Sequence, residues 1–244
     1  MSSKTNIQGM PVLITSAINV AAAHTALIDP TTRLELTLKG IEQWRKTQGV
    51  SKVIVCDGSG FDLTTYIQDD RPSISVPCEV IVFQNDIKGV QDKGKGYGEG
   101  EIIKYALFVS QLLKDEVFFA KCTGRLFVEN FKDCFAHFNG SAAFDFYGKL
   151  KPTQIDTRFY MVSRDFYSSN LMNAHLAVND TNGYYLEHAF RDELRKLHTY
   201  EYVMYPTPRI SGRSASMDIL YKQNHLKERL RDLRSLAIQT ALLG

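Results

Sequence analysis

The first 115 residues alternate short apolar segments with amphipathic segments of helical length, and this alternation restricts the fold more than any other feature of the sequence. Four apolar segments predict strands, at Val12–Thr15, Val53–Cys56, Glu79–Phe83 and Val117–Lys121. They show little alternation in polarity, which is typical of strands buried on both faces of a parallel sheet. Because helices cover such a sheet, the sequence predicts an α/β fold with a mostly parallel central sheet.

Two helices are predicted between these strands. The first begins at Asp29-Pro30, since Asp is a favoured N-cap and Pro suits the first helical position, and Gly49 supplies a stop. The second follows a glycine-rich segment, Lys93–Gly100, which we expect to be a loop whose backbone can approach a ligand closely. A third helix is predicted later in the chain, from about Tyr184 to Leu197.

The rest of the second half is less regular. Strands are predicted at Arg158–Val162 and Tyr202–Pro206, and one long helix at Met217–Leu243. This gives a single domain over residues 1–216 and a C-terminal helical extension over residues 217–244. The helix carries an apolar seam, formed by Leu226, Leu230, Leu233 and Ala237. We expect this seam to pack on the domain or to pair with a second chain. Alternatively, the helix lies on an acidic membrane through its basic side.

Composition excludes several classes of protein. The chain of 244 residues has 29 Lys and Arg against 27 Asp and Glu, a net charge of +2, which argues against nucleic acid as a partner. No apolar run approaches the length that spans a bilayer, and the N-terminus lacks an apolar signal core, so we expect a cytoplasmic protein, with the inner face of the membrane as a second location. The four cysteines form no CxxC pair, which argues against zinc.

Polar residues follow three of the predicted strands. Thr15-Ser16 ends the first, Asp57-Gly58-Ser59 the second and Lys121–Arg125 the fourth. In a parallel sheet these carboxyl ends share one edge, where ligands bind. Asp57 at this edge could accept hydrogen bonds from a ribose or a base, or could simply form a turn with Gly58. The two cations on either side of Gly124, Lys121 and Arg125, suit a diphosphate.

A general base is a further expectation. Glu187 opens the third predicted helix, where the helix dipole alone also favours a carboxylate, and His188 is the weaker alternative. Asp156 and Asp180 are other carboxylate candidates. The segment 208–216, which contains Arg213, either closes over phosphates or caps the last helix.

The order of these motifs resembles that of glycosyltransferases of the GT-A fold, of the kind that assemble bacterial surface polysaccharides. The resemblance covers residues 10–216. It rests on Thr15-Ser16 with the helix that follows, on Val55–Ser59, on Lys93–Glu99 before a helix, on Phe118–Arg125 after it, and on the later Tyr185–His188.

The resemblance implies a nucleotide-sugar donor and a glycan or other hydroxyl acceptor. By it, Thr15, Ser16 and Asp57 bind the donor nucleoside, and Glu187 matches the catalytic base of inverting members. The remaining positions that we expect to contact the donor nucleotide are Arg33, Gly58, Ser59, Lys93, Lys95, Gly96, Lys121, Gly124, Arg125 and Arg213.

One departure from the family is clear. Most GT-A enzymes bind Mn²⁺ or Mg²⁺ with an Asp-x-Asp motif after the fourth strand, and the sequence has no Asp-x-Asp anywhere. Lys121 and Arg125 stand in its place, so we expect no metal and no other cofactor, with cations stabilising the leaving nucleotide. The same departure supports the alternative, an inactive transferase fold that binds glycans or a partner. A sugar-phosphate nucleotidyltransferase ranks lower, because a Gly-rich basic loop is missing after the first strand.

Overall fold

The computed structural model describes residues 9–23, 25–67, 76–148, 152–197, 199–214, 218–221 and 225–241. Six strands form a central sheet in the order β3-β2-β1-β4-β7-β6. They are β1 (Met10–Ser16), β2 (Val50–Asp57), β3 (Cys78–Val82), β4 (Phe118–Thr123), β6 (Ala142–Tyr147) and β7 (Gln154–Ser163).

The sheet is mostly parallel, as the sequence predicts. β1 pairs in parallel with β2 and β4, and β2 pairs in parallel with β3, whereas β7 runs antiparallel to both β4 and β6. The chain moves outwards from β1 to β3 on one side and continues at β4 on the other. This reversal opens a crevice beyond the carboxyl ends of β1 and β4.

Helices cover both faces of the sheet and bury two apolar cores. One core contains Ile103, Phe119 and Phe190, and the other packs Trp44 and Phe131 against the sheet. The N-terminal end of the first helix is fixed as predicted, because the Asp29 side chain accepts a hydrogen bond from the Thr32 backbone N–H at 2.7 Å. The helices are α1 (Pro30–Lys46), α2 (Ile87–Lys93), α3 (Lys95–Val109), α4 (Phe131–Ala136), α5 (Arg164–Asn170), α6 (Leu186–Arg195) and α7 (His225–Ala241).

A second, smaller sheet lies beside the crevice. It is antiparallel and contains β5 (Leu126–Val128), β8 (Ile210–Arg213) and β9 (Leu220–Tyr221). β5 follows β4 after a two-residue turn, so this sheet brings Arg213 and Tyr221 to the same edge as the ends of the central strands.

The glycine-rich segment is helical, and the predicted loop is wrong. α2 and α3 meet at Gly94, whose φ of +104° needs a residue without a side chain. Within α3, a Cβ on Gly98 would lie 2.7 Å from the Asn85 amide, and one on Gly100 would lie 2.1 Å from Cβ of His175. These glycines give close helix packing, and tertiary contacts override their low helix propensity.

Two expectations for the C-terminal region are also wrong. Residues 202–206 form no strand of either sheet, although Val203 makes an isolated bridge to Phe144. The last helix begins at His225 rather than at residue 217, and β9 occupies part of the predicted helix. The predicted domain boundary, between residues 216 and 217, lies outside the described residues.

The apolar seam of the last helix does not pack on the domain. Leu226, Leu230 and Leu233 are 71%, 59% and 63% exposed, and the opposite side of α7 packs inward. Arg231 and Arg234 of that side pair with the buried Asp145. Charged pairing, which helical spacing alone does not reveal, sets the orientation of this helix. Among the described helices, none combines the length and the apolar character needed to cross a bilayer.

Candidate functional site

A cavity of about 500 Å³ opens beyond the carboxyl ends of β1, β2 and β4. Its size suits a nucleotide or another small molecule, which commonly occupies a cleft of about 300–1,000 Å³. Twelve of the candidate site residues named from the sequence line it: Thr15, Ser16, Arg33, Gly58, Ser59, Lys95, Gly96, Arg125, Asp156, Asp180, Glu187 and Arg213.

The turn between β4 and β5 holds Arg125 at the cavity. A Cβ on the preceding Gly124 would lie 2.9 Å from the Thr15 carbonyl oxygen, and the Gly124 N–H donates to that oxygen at 2.7 Å. Arg125 itself has a φ of +71°, a left-handed conformation that costs a residue with a side chain about 1–3 kcal/mol. The close approach to β1 and the strained backbone together fix Arg125.

The Arg125 side chain is buried and incompletely paired. Its Nε and Nη1 atoms have no hydrogen-bond partner among the described residues. Burial, and then the neighbouring Arg33 guanidinium, lower the pKa of Arg125 to about 9. Thr15 Oγ1 and Ser16 Oγ, at the end of β1, are likewise buried without a partner in the described structure. Unpaired donors at one site suit an anionic, oxygen-rich ligand.

Asp57 and Arg33 organise the loops around this site. The Asp57 carboxylate accepts hydrogen bonds from the backbone N–H groups of Ile18 and Ser59, at 3.0 and 2.8 Å, and does not line the cavity. Arg33 donates to the carbonyl oxygens of Ala17 and Leu27, each at 2.8 Å. Direct nucleoside binding by Asp57 stays a prediction, and its contacts here position the loop after β1.

Lys121 lies inside the wall of the cavity rather than on its surface. Its fully buried ammonium donates to Glu99 Oε1 at 2.6 Å, to Thr123 Oγ1 at 2.9 Å and to the Thr157 carbonyl oxygen at 2.8 Å. An ammonium has three donors, and all three are engaged. The expected contact between Lys121 and the donor is therefore corrected: Lys121 holds Glu99, which lines the cavity.

Glu187 faces the cavity from the first turn of α6. Its Oε1 accepts a hydrogen bond from Thr157 Oγ1 at 3.2 Å. Burial is the main cause of a raised Glu187 pKa, and the nearby Glu99 and Asp156 carboxylates add to it. A raised pKa brings a carboxyl group towards the range in which it exchanges protons near neutral pH.

His188 caps the helix instead of facing the cavity. Its Nδ1 accepts a hydrogen bond from the Tyr185 backbone N–H at 3.1 Å, and Nε2 lies 2.9 Å from the Gln154 side-chain amide. The ring also stacks near those of Tyr184 and Tyr185. His188 is absent from the cavity lining, whereas Glu187 and the other two carboxylate candidates, Asp156 and Asp180, line it.

The remaining predicted cations divide between the cavity and the surface around it. Lys95 lines the cavity, and its backbone N–H donates to Asp180 Oδ2 at 3.0 Å. Lys93 lies outside the lining, where it bonds the Leu176 carbonyl oxygen at 3.2 Å and stands over the Tyr97 ring. Arg213 lines the cavity and pairs with Asp218 at 2.7 Å. Gly124 acts only through the turn described above.

Several lining residues escaped the sequence analysis. Glu99 lies within the glycine-rich segment, and helical periodicity would have placed it on the same face as Gly96 and Ile103 had that segment been read as a helix. Arg158 stands 4.7 Å from the Tyr221 ring centroid and pairs with Asp156 at 2.5 Å. That contact joins the two sheets, and no local pattern signals it.

Two carboxylates beside the cavity are already paired with cations. Among the described residues, no group of three His, Cys, Asp or Glu side chains has the arrangement of a metal site. Glu99 is paired with Lys121 and Asp156 with Arg158, so cations already neutralise these two carboxylates. The buried Arg125 adds a further positive charge beside them.

No protein-family model and no curated protein sequence matches this chain. Solved structures, in contrast, do match it. The inositol-1-phosphate CTP transferase from T. maritima is 12% identical, with 93% of this chain and 96% of that one covered and a TM-score of 0.50. This chain therefore shares the fold of that enzyme, an α/β fold with a mostly parallel central sheet, as the sequence predicted. Core-mannan synthase A from Aspergillus fumigatus, in its Mn/GDP form, is 11% identical over 93% and 83% of the chains, with a TM-score of 0.47.

Proposed function

We propose that this protein is a glycosyltransferase that moves a sugar from a nucleotide-sugar donor to a hydroxyl group of a glycan or similar acceptor. The observation that carries the proposal is the buried, incompletely paired Arg125 on the same cavity as the partly buried Glu187. The Arg125 guanidinium suits the anionic donor, and the Glu187 carboxylate suits removal of the proton from the acceptor hydroxyl. Their placement beyond the strand ends of a transferase fold supports the pairing.

The reaction is a single displacement. Glu187 removes the proton from the acceptor hydroxyl while its oxygen forms a bond to the anomeric carbon of the donor. The bond between that carbon and the phosphate oxygen breaks, and the nucleotide leaves with the electron pair. One displacement inverts the anomeric configuration, so the proposal includes inversion.

Charge that develops on the leaving nucleotide meets fixed positive groups. Arg125 supplies a guanidinium in a buried setting, where electrostatic stabilisation is stronger than in water. Thr15 and Ser16 add hydroxyl groups, and Lys95 and Arg213 bring further cations to the lining. These groups take the role for which related enzymes use a divalent ion, and the proposal is therefore a metal-independent enzyme.

A thermal-shift panel of nucleotides and nucleotide-sugars tests the binding half of the proposal. Each ligand is measured in EDTA and in Mn²⁺, with the wild type, with Arg125→Gln and with the surface control Lys114→Gln. A ligand at about 100 times its Kd stabilises by about 2.7 kcal/mol. We expect one nucleotide class to stabilise the wild type and Lys114→Gln in EDTA, and not Arg125→Gln. A shift that needs Mn²⁺ contradicts metal independence, and no shift with any nucleotide contradicts the proposal.

The alternative is a transferase fold without activity that binds a glycan or a partner protein. The observation in its favour is that Glu99 and Asp156 are already paired with Lys121 and Arg158, so these two carboxylates are not available to a metal. Turnover of a nucleotide-sugar separates the two, because a binding module releases no nucleotide.

A further inference from the structure

The outward face of α7 carries leucines and cations together. Leu226, Leu230 and Leu233 are more than half exposed, and Leu236 is 39% exposed. Lys227 and Arg229 are exposed in the first turns of the same helix. We refer to these six residues as the α7 face. Four leucines on one solvent-facing stripe are unusual for a surface helix and indicate that something covers them.

The helix cannot turn this face inward, because its other side is anchored by charge. Arg231 and Arg234 pair with Asp145, which is 1% exposed. Arg234 also donates to the Gly148 carbonyl oxygen at 2.9 Å, and the Arg234 guanidinium lies 4.4 Å from the Phe146 ring centroid. Rotating α7 to bury its leucines would break these contacts and leave the Asp145 carboxylate buried without its cations.

Both carboxylates of α7 are on the anchored side. Glu228 is buried and pairs with Arg209 at 3.4 Å. Asp232 accepts a hydrogen bond from the Thr207 backbone N–H at 2.7 Å. The described outward face of the helix therefore combines apolar side chains with positive charge and carries no carboxylate.

We infer that the α7 face docks on an anionic lipid bilayer. Leucines enter the boundary between headgroups and acyl chains, while Lys227 and Arg229 meet the negative headgroups. The helix is parallel to the surface in this arrangement. The inference is independent of the proposed chemistry, since none of the six residues lines the cavity.

A second copy of the chain fits this face less well. The spacing of Leu226, Leu230 and Leu233 matches a coiled-coil seam, in which Lys227 and Arg229 occupy the flanking positions. Those positions govern pairing between helices, and here they would bring cations against cations. An anionic surface attracts the charges that a symmetric helix pair would repel.

Vesicle co-sedimentation of the full chain tests the inference. The probes are phosphatidylglycerol–phosphatidylcholine vesicles and vesicles of phosphatidylcholine alone. We expect binding to the anionic vesicles, weakened by high salt, and at least about tenfold less with the neutral ones. The double variant Leu230→Gln/Leu233→Gln should lose at least about tenfold in partitioning, and Lys227→Gln/Arg229→Gln about fivefold for each cation removed.

Matched surface variants control for general effects. Phe108, on α3, is 92% exposed, and Lys39 and Lys114 are exposed elsewhere. Phe108→Gln and Lys39→Gln/Lys114→Gln should leave vesicle binding unchanged. Hydrogen exchange gives a second readout on the wild type, in which vesicles should protect the amides of residues 226–237.

The inference fails if the wild type stays in the supernatant with anionic vesicles, or if the leucine variant sediments as well as the wild type. It also fails if sedimentation velocity without lipid shows a dimer that Leu230→Gln/Leu233→Gln converts to a monomer. In that case a second copy covers the face. Nucleotide binding in the thermal-shift panel is unaffected by these surface variants, so failure here leaves the proposed function standing.

Discussion

Lys121 Nζ lies 2.6 Å from Glu99 Oε1 in the wall of the cavity, and this pair connects the central sheet to α3. The ammonium is fully buried, whereas 19% of the Glu99 side chain is exposed towards the cavity. The sequence analysis expected Lys121 to contact the donor nucleotide, whereas in the structure its ammonium holds the Glu99 carboxylate. The pair presents Glu99 to whatever enters the cavity.

Lys121→Met should destabilise the protein by about 3–5 kcal/mol, because the Glu99 carboxylate is left without its cation. Adding Glu99→Gln should recover much of this loss, since neither member of the pair then carries a charge. Urea unfolding of the single and double variants measures both effects. Lys52 pairs with Glu116 at the surface, with 33% of the Lys52 side chain exposed, and Lys52→Met should cost less than about 1 kcal/mol. Equal losses at the two lysines would contradict the assignment.

Arg125→Gln should stabilise the ligand-free protein at neutral pH by about 1–3 kcal/mol, because it removes a buried cation whose Nε and Nη1 lack partners among the described residues. Burial lowers the pKa of Arg125 to about 9 in the folded state. The cost of the charge is therefore present below that pH and is relieved as the pH rises above it. Thermal unfolding should therefore show a smaller difference in stability between Arg125→Gln and the wild type at pH 10 than at pH 7. Loss of stability at pH 7 would mean that Arg125 is a structural residue.

Glu187→Gln should lower kcat by about 10²–10⁴-fold and leave nucleotide binding intact, because the amide cannot accept the acceptor proton. His188→Gln is the matched variant on the next residue. It loses a cap contact and should reduce stability more than turnover. Full turnover by Glu187→Gln would remove Glu187 from the reaction.

The pH profile of kcat follows from the same carboxyl group. Burial raises the pKa of Glu187, and the base works only when it is deprotonated. Activity should therefore fall on the acid side at a pH above the usual range of a glutamate, with a slope of one proton. Initial rates from pH 4 to pH 8 test this. An acid limb at the pKa of an ordinary exposed glutamate would contradict the assignment.

Gly100→Ala should destabilise the protein by about 1–3 kcal/mol, although alanine is the better helix former. Its Cβ would lie 2.1 Å from Cβ of His175, so α3 and the segment that carries His175 must move apart. Gly40→Ala, in the interior of α1, is the matched control. Its Cβ would make an ordinary contact of 3.5 Å with the Arg125 backbone. We therefore expect the free energy of unfolding to be unchanged or to rise by up to about 1 kcal/mol. Equal effects on the unfolding midpoint would mean that α3 packs less closely.

The sequence predicts the central sheet well because its signals are local. Buried β-branched strands and the Asp29-Pro30 start are readable within a few residues, and both are confirmed. The contacts that the sequence misses join distant segments. Asn85 and His175 explain two glycines of α3, and Asp145 sets the orientation of α7. Glu99 and Thr157 accept from two of the three donors of Lys121.

The candidate site divides in the same way. Position along the strands predicts which residues reach the cavity edge, so Thr15, Ser16 and Arg125 line it. It does not predict which side chains are already engaged. Asp57 and Arg33 are bound to neighbouring backbone groups, and only the folded chain reveals this.

Turnover of a nucleotide-sugar panel in EDTA tests the central claim most directly. The purified wild type and Glu187→Gln are incubated with glycan acceptors and uridine, thymidine, guanosine or cytidine nucleotide-sugars, and the released nucleotide is measured. Parallel reactions with nucleoside triphosphates and sugar phosphates are assayed for pyrophosphate. We predict acceptor-dependent nucleotide release from one donor class by the wild type in EDTA, reduced at least about 10²-fold in the variant. Pyrophosphate release instead, or equal turnover by the two proteins, would contradict the account.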